Sequence, residues 1–156
     1  SEETAYQMTS ILEGVIKRGT GRKLKDLNLD LAGKTGTTNN NTDAWFVGFT
    51  SNLVIGVYVG HDEPRSLGKY ETGSKTAMPI FKSFIKKAVK KGDARPFKVA
   101  KNIEFSVIEQ KTGRKADFGS KTTIIEAFKK NKIKKNYLNN NDLNLKVDKN
   151  NILKFY

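Results

Sequence analysis

Between Leu31 and Gly60 three strand-like segments follow one another with only short turns between them, and no other stretch limits the fold as tightly. The segments run 31–38, 44–50 and 53–60. Asn39-Asn40-Asn41-Thr42-Asp43 is a turn by composition. Ser51-Asn52 suits a two-residue hairpin loop. Links this short cannot carry a crossover, so the segments must pair antiparallel, as a meander. Ala44 to Thr50 is rich in the aromatic residues that suit a pleated surface. Leu53 to Val59 is apolar nearly throughout, which predicts a strand covered on both faces.

Helical patterns flank the meander. Over residues 2–18, Ala5, Met8, Leu12 and Val15 recur at spacings of three and four, with Ile11 and Ile16 beside them. Glu2 and Glu3 in the first turn and Lys17 and Arg18 in the last suit the helix dipole, and Gly19 stands where a left-handed cap is expected. Residues 20–28 and 61–74 read as polar loops. A second helix begins near Thr76, with Pro79 tolerated in its first turn. Its stripe is Ile80, Phe81, Phe84, Ile85 and Ala88, and Lys86, Lys87, Lys90 and Lys91 lead to a stop at Gly92. The class is therefore α+β, with amphipathic helices packed on an antiparallel sheet of three main strands. After Arg95-Pro96 the texture changes, and the division expected is 1–98 and a basic extension, 99–156. There, 103–108 reads as an edge strand and 111–114 as a turn, and Ser120 is placed to cap a short helix through Ile124, Ile125, Ala127 and Phe128. Lys and Asn dominate beyond Lys129, which suggests a loosely attached end.

The chain of 156 residues is 37% apolar, enough for one core and a small appendage. It has no cysteine, so disulfides, thiolate metal sites and a cysteine nucleophile are excluded. Its one histidine, His61, reads as a strand-end residue and not a metal ligand. No apolar run is long enough to span a membrane. The start, Ser1-Glu2-Glu3, carries no signal peptide, which fits a cytosolic protein or a piece of a longer one. The net charge is +13, of which residues 101–156 carry +7. Lysine outnumbers arginine 24 to 5, and arginine is the better fork for phosphate and guanine, so nucleic acid is not the expected partner.

Chemistry concentrates in Leu31-Ala32-Gly33-Lys34-Thr35-Gly36-Thr37-Thr38. One lysine and several hydroxyls on an extended backbone make a strip for a carboxylate or a phosphate, and Gly36 lets a ligand lie against the main chain. A nucleotide-binding P-loop fits poorly. Position 28, where that motif needs glycine, is Asn28, and turn and strand follow Thr37 where it needs a helix.

A wider set surrounds the strip: Ala5-Tyr6-Gln7-Met8, Leu12-Glu13-Gly14-Val15, Arg18-Gly19-Thr20-Gly21, Asp43-Ala44-Trp45-Phe46-Val47-Gly48, Gly56-Val57, Gly60-His61-Asp62 and Ala77-Met78-Pro79-Ile80-Phe81. In this order, over residues 1 to about 128, the chain resembles the end of a penicillin-binding protein transpeptidase domain. It is most similar to the class A type, which adds an N-terminal glycosyltransferase. The resemblance implies an incomplete serine β-lactamase/penicillin-binding transpeptidase-like fold. It implies a parent enzyme on the extracytoplasmic (periplasmic) side of the bacterial cytoplasmic membrane, anchored through upstream sequence. Such an enzyme crosslinks peptidoglycan stem peptides ending in D-Ala-D-Ala through an acyl-enzyme, needs no cofactor or metal, and is acylated by β-lactams. By resemblance, Lys34 supplies positive charge in the cleft and helps pass protons. The Thr35 and Thr37 hydroxyls bind the substrate carboxylate, Gly36 keeps the strip flat, and the Thr37 backbone N–H is one oxyanion donor.

The family also needs Ser-x-x-Lys and Ser-x-Asn upstream of Lys-Thr-Gly. Ser-x-Asn is absent, and Ser-x-x-Lys occurs only downstream, at Ser66/Lys69 and Ser83/Lys86, about as often as chance allows. Ser83 and Lys86 share a helix face, but that helix reads as a packing element, so no nucleophile is assigned in this chain. Two helices can cover one face of a three-stranded sheet, hardly both. The expected partners are therefore the remainder of a parent domain, a homodimer or a strand-swapped copy. The rival reading is a basic binding module for an anionic cell-envelope polymer, a partner protein or nucleic acid, the last without any recognisable motif.

Overall fold

The structure is a computed structural model and describes residues 1–90, 93 and 95–130. Helix α1 (Glu2–Arg18) is followed by a 3-10 turn at Arg22–Leu27 and the strands β1 (Ala32–Thr37), β2 (Asp43–Phe49) and β3 (Val54–Gly60). A π-turn at Gly73–Ala77 leads into α2 (Met78–Ala88), and β4 (Ile103–Glu109) and β5 (Thr123–Lys129) follow. The first three strands form an antiparallel sheet in the order β1-β2-β3. The last two form a separate antiparallel hairpin.

Turn chemistry explains the meander. Asn40 and Asn41, at φ 62° and 53°, take the left-handed conformation that asparagine tolerates, and so reverse the chain between β1 and β2. Thr50 Oγ1 accepts from the Leu53 N–H at 3.2 Å and donates to Asn52 Oδ1 at 2.8 Å, which closes the β2–β3 loop.

Register sorts the side chains. Thr35, Phe46 and Val57 share one face, and so do Thr37, Ala44 and Val59. This inner face carries the core, where Phe46 meets Phe81 of α2 edge-on, ring centroids 4.7 Å apart. Leu24, Leu31, Met78, Ile85 and Ile16 complete the buried cluster. The outer face carries Lys34 and Val47, then Gly36, Trp45 and Tyr58. Among the described residues only its Ala32–Phe49 end is covered, where Phe97 packs edge-on against Phe49.

α1 touches both sheets. Ile16 enters the main core, while Tyr6 packs against Phe105 and Gln7 Nε2 donates to the Ala127 carbonyl at 3.1 Å. Arg18 forms an ion pair with Glu126 of β5. Gly14 makes room for it, since a Cβ there would run into the Arg18 guanidinium.

Several expectations change. β3 is not covered on both faces: Val54 is 71% exposed and Tyr58 is exposed as well, because among the described residues the buried apolar cluster lies on the inner side. The apolar stripe of α1 is likewise half open: Met8 and Ile11 are exposed, while Ile16 of the same stripe is buried in the core. Gly19 ends α1 at φ −106°, outside the left-handed region. α2 stops at Ala88, and the stop expected at Gly92 lies outside the described residues. The helix expected after Ser120 is a strand, β5. Ser120 is engaged elsewhere: its Oγ accepts from the Asp117 N–H at 3.1 Å and donates to Asp117 Oδ1, so no cap is left for a helix. Thr122, Thr123, Ile124 and Ile125 are β-branched in succession, which favours the extended form. The loose end expected beyond Lys129 lies, after Lys130, outside the described residues.

Candidate functional site: the exposed edge of β1

All four candidate residues fall on β1, the edge strand of the sheet. The Thr38 N–H donates to the Asp43 carbonyl at 3.1 Å. Antiparallel alternation then turns the peptide groups of Gly36 and Lys34 toward β2, and those of Thr37, Thr35 and Gly33 toward the open edge. No strand pairs along that edge among the described residues. The result is a row of fixed backbone donors and acceptors beside a cation.

The side chains are held in specific ways. Lys34 is exposed on the outer face and its Nζ curls over the edge, donating to the Thr35 carbonyl at 2.8 Å and to Thr35 Oγ1 at 3.4 Å. Thr35 Oγ1 also lies 3.2 Å from Thr20 Oγ1, on the loop that ends α1. Thr37 Oγ1 accepts the Gly73 N–H at 3.0 Å. With that lone pair taken, the Thr37 hydroxyl proton is free to be donated outward. Gly73 sits where a Cβ would collide with the carbonyl oxygens of Trp45 and Gly36, so only glycine brings the π-turn this close.

At the far end of the strip, Asp43 gathers three hydroxyls. Tyr58 donates to Oδ1 at 2.8 Å, and Thr42 and Thr38 donate to Oδ2 at 3.0 and 3.1 Å. These bonds, that of Tyr58 first, hold the Asp43 carboxyl below its ordinary range, and Asp43 in turn pushes the Tyr58 hydroxyl up. Trp45 leans on Tyr58, centroids 4.8 Å apart, so the strip ends in an aromatic wall.

The structure thus brings Lys34 and Thr35 together and fastens Thr37 through a different element. Ser83 and Lys86 are exposed on α2, and Ser66 Oγ is occupied by the Gly68 N–H at 3.1 Å. Sequence reasoning missed Thr20, Gly73 and the Asp43–Tyr58 pair. Thr20 had a signal, its place in Arg18-Gly19-Thr20-Gly21, but Gly73 looked like any loop glycine.

The model of the penicillin binding protein transpeptidase domain matches residues 1–86. The chain belongs to the penicillin-binding protein transpeptidase family. It is 44% identical over 154 residues to the penicillin-binding protein 1A of Rickettsia conorii, a match covering 99% of this chain and 19% of that protein. It is also 44% identical to the penicillin-binding protein 1A of Pseudomonas aeruginosa, over 81% of this chain and 16% of the relative. The crystal structure of penicillin-binding protein 1A from Haemophilus influenzae superposes with a TM-score of 0.69 at 33% identity. That match covers 80% of this chain and 20% of the other. The chain therefore spans about a fifth of the relatives it matches, and its antiparallel α+β architecture is that of this transpeptidase fold.

Proposed function

We propose that the chain is the substrate-carboxylate and oxyanion part of a peptidoglycan D,D-transpeptidase, residues 1–98 forming the transpeptidase portion and 99–156 a basic extension. The observation that carries this reading is the open edge of β1, where backbone groups of Thr35 and Thr37 alternate outward beside the Lys34 ammonium and two threonine hydroxyls. The terminal carboxylate of a D-Ala-D-Ala stem peptide takes charge-assisted hydrogen bonds from Lys34, Thr35 and Thr37. The scissile carbonyl then lies against the strand, with the Thr37 N–H donating to its oxygen as negative charge develops. One such fixed donor is worth on the order of 3 kcal/mol at the transition state.

The nucleophilic serine, its lysine base and the second serine come from a segment bearing Ser-x-x-Lys and Ser-x-Asn. The serine attacks, the bond to the last D-alanine breaks, and that alanine leaves with the proton. An amine of a second strand then displaces the serine ester and closes the crosslink. β-Lactams acylate the same serine. This chemistry belongs on the periplasmic side of the cytoplasmic membrane, in a parent that also carries a glycosyltransferase. The uncovered outer face of the sheet is where the rest of such a domain, or a second copy of this chain, would pack.

Titration of the labelled chain with N-acetyl-D-Ala-D-Ala, followed by amide chemical shifts, tests the reading. Shifts confined to residues in and beside Ala32–Thr37, and lost in Lys34→Ala, are expected. Shifts centred elsewhere, or indifferent to Lys34, would refute it. Mass spectrometry after incubation with a β-lactam should show no covalent adduct on this chain. An adduct on Ser83 or Ser66 would place a nucleophile here.

A further inference from the structure

The β4–β5 hairpin ends in a loop, residues 110–122, that the transpeptidase reading does not use. It is built and not slack. Ala116 N–H donates to the Val107 carbonyl at 3.0 Å, Gln110 N–H to Thr122 at 3.0 Å and Glu109 N–H to Arg114 at 2.8 Å. Gly113, at φ +70°, makes the first bend. Asp117 makes the second: its Oδ1 accepts from the Gly119 N–H at 2.9 Å and from Ser120 Oγ at 3.2 Å. The acids near the tip are thus occupied internally, as is Glu109, which accepts from Thr112 at 2.7 Å.

One aromatic ring and four cations also point outward, the cations outnumbering the Glu109 and Asp117 carboxylates two to one. Phe118 is 90% exposed on this ordered turn. Lys111, Arg114, Lys115 and Lys121 are all exposed, and none is in an ion pair among the described residues.

We propose that this tip attaches the protein to an anionic lipid surface, Phe118 entering the acyl boundary while the four cations engage the headgroups. A base or a sugar is read by hydrogen-bonding groups set beside the stacking ring. Here the hydroxyls of Thr112 and Ser120 and one oxygen of Asp117 are engaged within the loop. A ring with no polar atom, collared by long cationic stems, suits an apolar layer under anionic headgroups instead. The inference stands apart from the transpeptidase reading, since no residue of the β1 strip takes part.

The test is sedimentation of the full 156-residue chain with two kinds of vesicle, phosphatidylcholine alone and phosphatidylcholine with one quarter phosphatidylglycerol. Binding to the anionic vesicles only is expected. Phe118→Ser should weaken it about tenfold or more and leave the melting curve unchanged, because the ring touches little of the fold. Replacing Lys111, Arg114, Lys115 and Lys121 by Gln should weaken it about fivefold per charge. Phe118→Trp in a Trp45→Phe background should show an indole emission that shifts to the blue and is quenched by brominated acyl chains. Failure to bind anionic vesicles, or binding indifferent to Phe118, would overturn the proposal. Equal dependence on Phe118 for binding to DNA or a soluble polyanion would also overturn it.

Discussion

Thr37 is held by a backbone donor from a distant loop, so the strip depends on Gly73 as much as on its own residues. Gly73→Ala must force the π-turn off β1 and should cost about 1–3 kcal/mol in chemical denaturation. Thr37→Val leaves the Gly73 N–H without its acceptor, at a cost of about 1–3 kcal/mol, whereas Thr37→Ser should restore most of it. The Asp43 carboxyl is depressed chiefly by the Tyr58 hydroxyl. Its stabilising contribution is therefore present above the unfolded value of 3.8 and is lost as pH falls through the folded value. Tyr58→Phe should move the Asp43 titration upward when followed by NMR; an unmoved titration would show that this bond is not what holds it. Glu126 has the opposite sign. Burial pushes its carboxyl up and Arg18 only partly offsets this. The native state then keeps a proton that the unfolded state has lost, so stability falls as pH rises through the window just above 4.5. Glu126→Gln should remove that slope, while Arg18→Ala should destabilise at neutral pH by leaving the carboxylate half-buried and unpaired.

Among the elements, the two faces of the meander should respond differently to substitution. Phe46→Ala opens a cavity under Phe81 and should cost about 3–5 kcal/mol. Trp45→Ala, one residue away on the uncovered face, loses a tilted aromatic contact and should cost about 1 kcal/mol. Thermal unfolding of the two variants reads the difference directly. The same asymmetry explains which elements could be read from the sequence. The meander was legible because two short turns leave the strands no other pairing, and α1 because its charges and periodicity agree over Glu2–Arg18. β5 was misread because Ile124, Ala127 and Phe128 also fit a helical spacing, and local propensity in its β-branched run was the better guide. Which face of β3 is covered could not be read, because an all-apolar strand looks the same with one partner layer as with two. That Lys34-Thr35-Gly36-Thr37 lies on a strand was legible; that this strand is an edge was not. The fastening of Thr35 by Thr20 and of Thr37 by Gly73 was not, since both join residues far apart in the chain.

For the whole molecule, apolar surface left uncovered is the dominant fact. Trp45, Val47, Val54 and Tyr58 lie exposed on one sheet face, and Met8 and Ile11 on α1 are exposed too. Each large apolar side chain left in water forgoes about 1.5–3 kcal/mol, against a typical net stability of about 5–15 kcal/mol. The edge of β3, unpaired among the described residues, adds a pairing hazard. The chain alone should therefore associate with itself in light scattering, and a stable monomer with cooperative unfolding would contradict this. On the proposed function, β1 supplies half of a transpeptidase site whose nucleophile lies on other residues. The most direct measurement mixes this chain with a separately expressed segment carrying the Ser-x-x-Lys and Ser-x-Asn motifs of a penicillin-binding protein 1A, and adds a fluorescent penicillin. Label should appear on the serine-bearing segment only when both chains are present, and should be lost with Lys34→Ala. Label on this chain by itself, or label on the other segment that is indifferent to this chain, would contradict a site shared between the two.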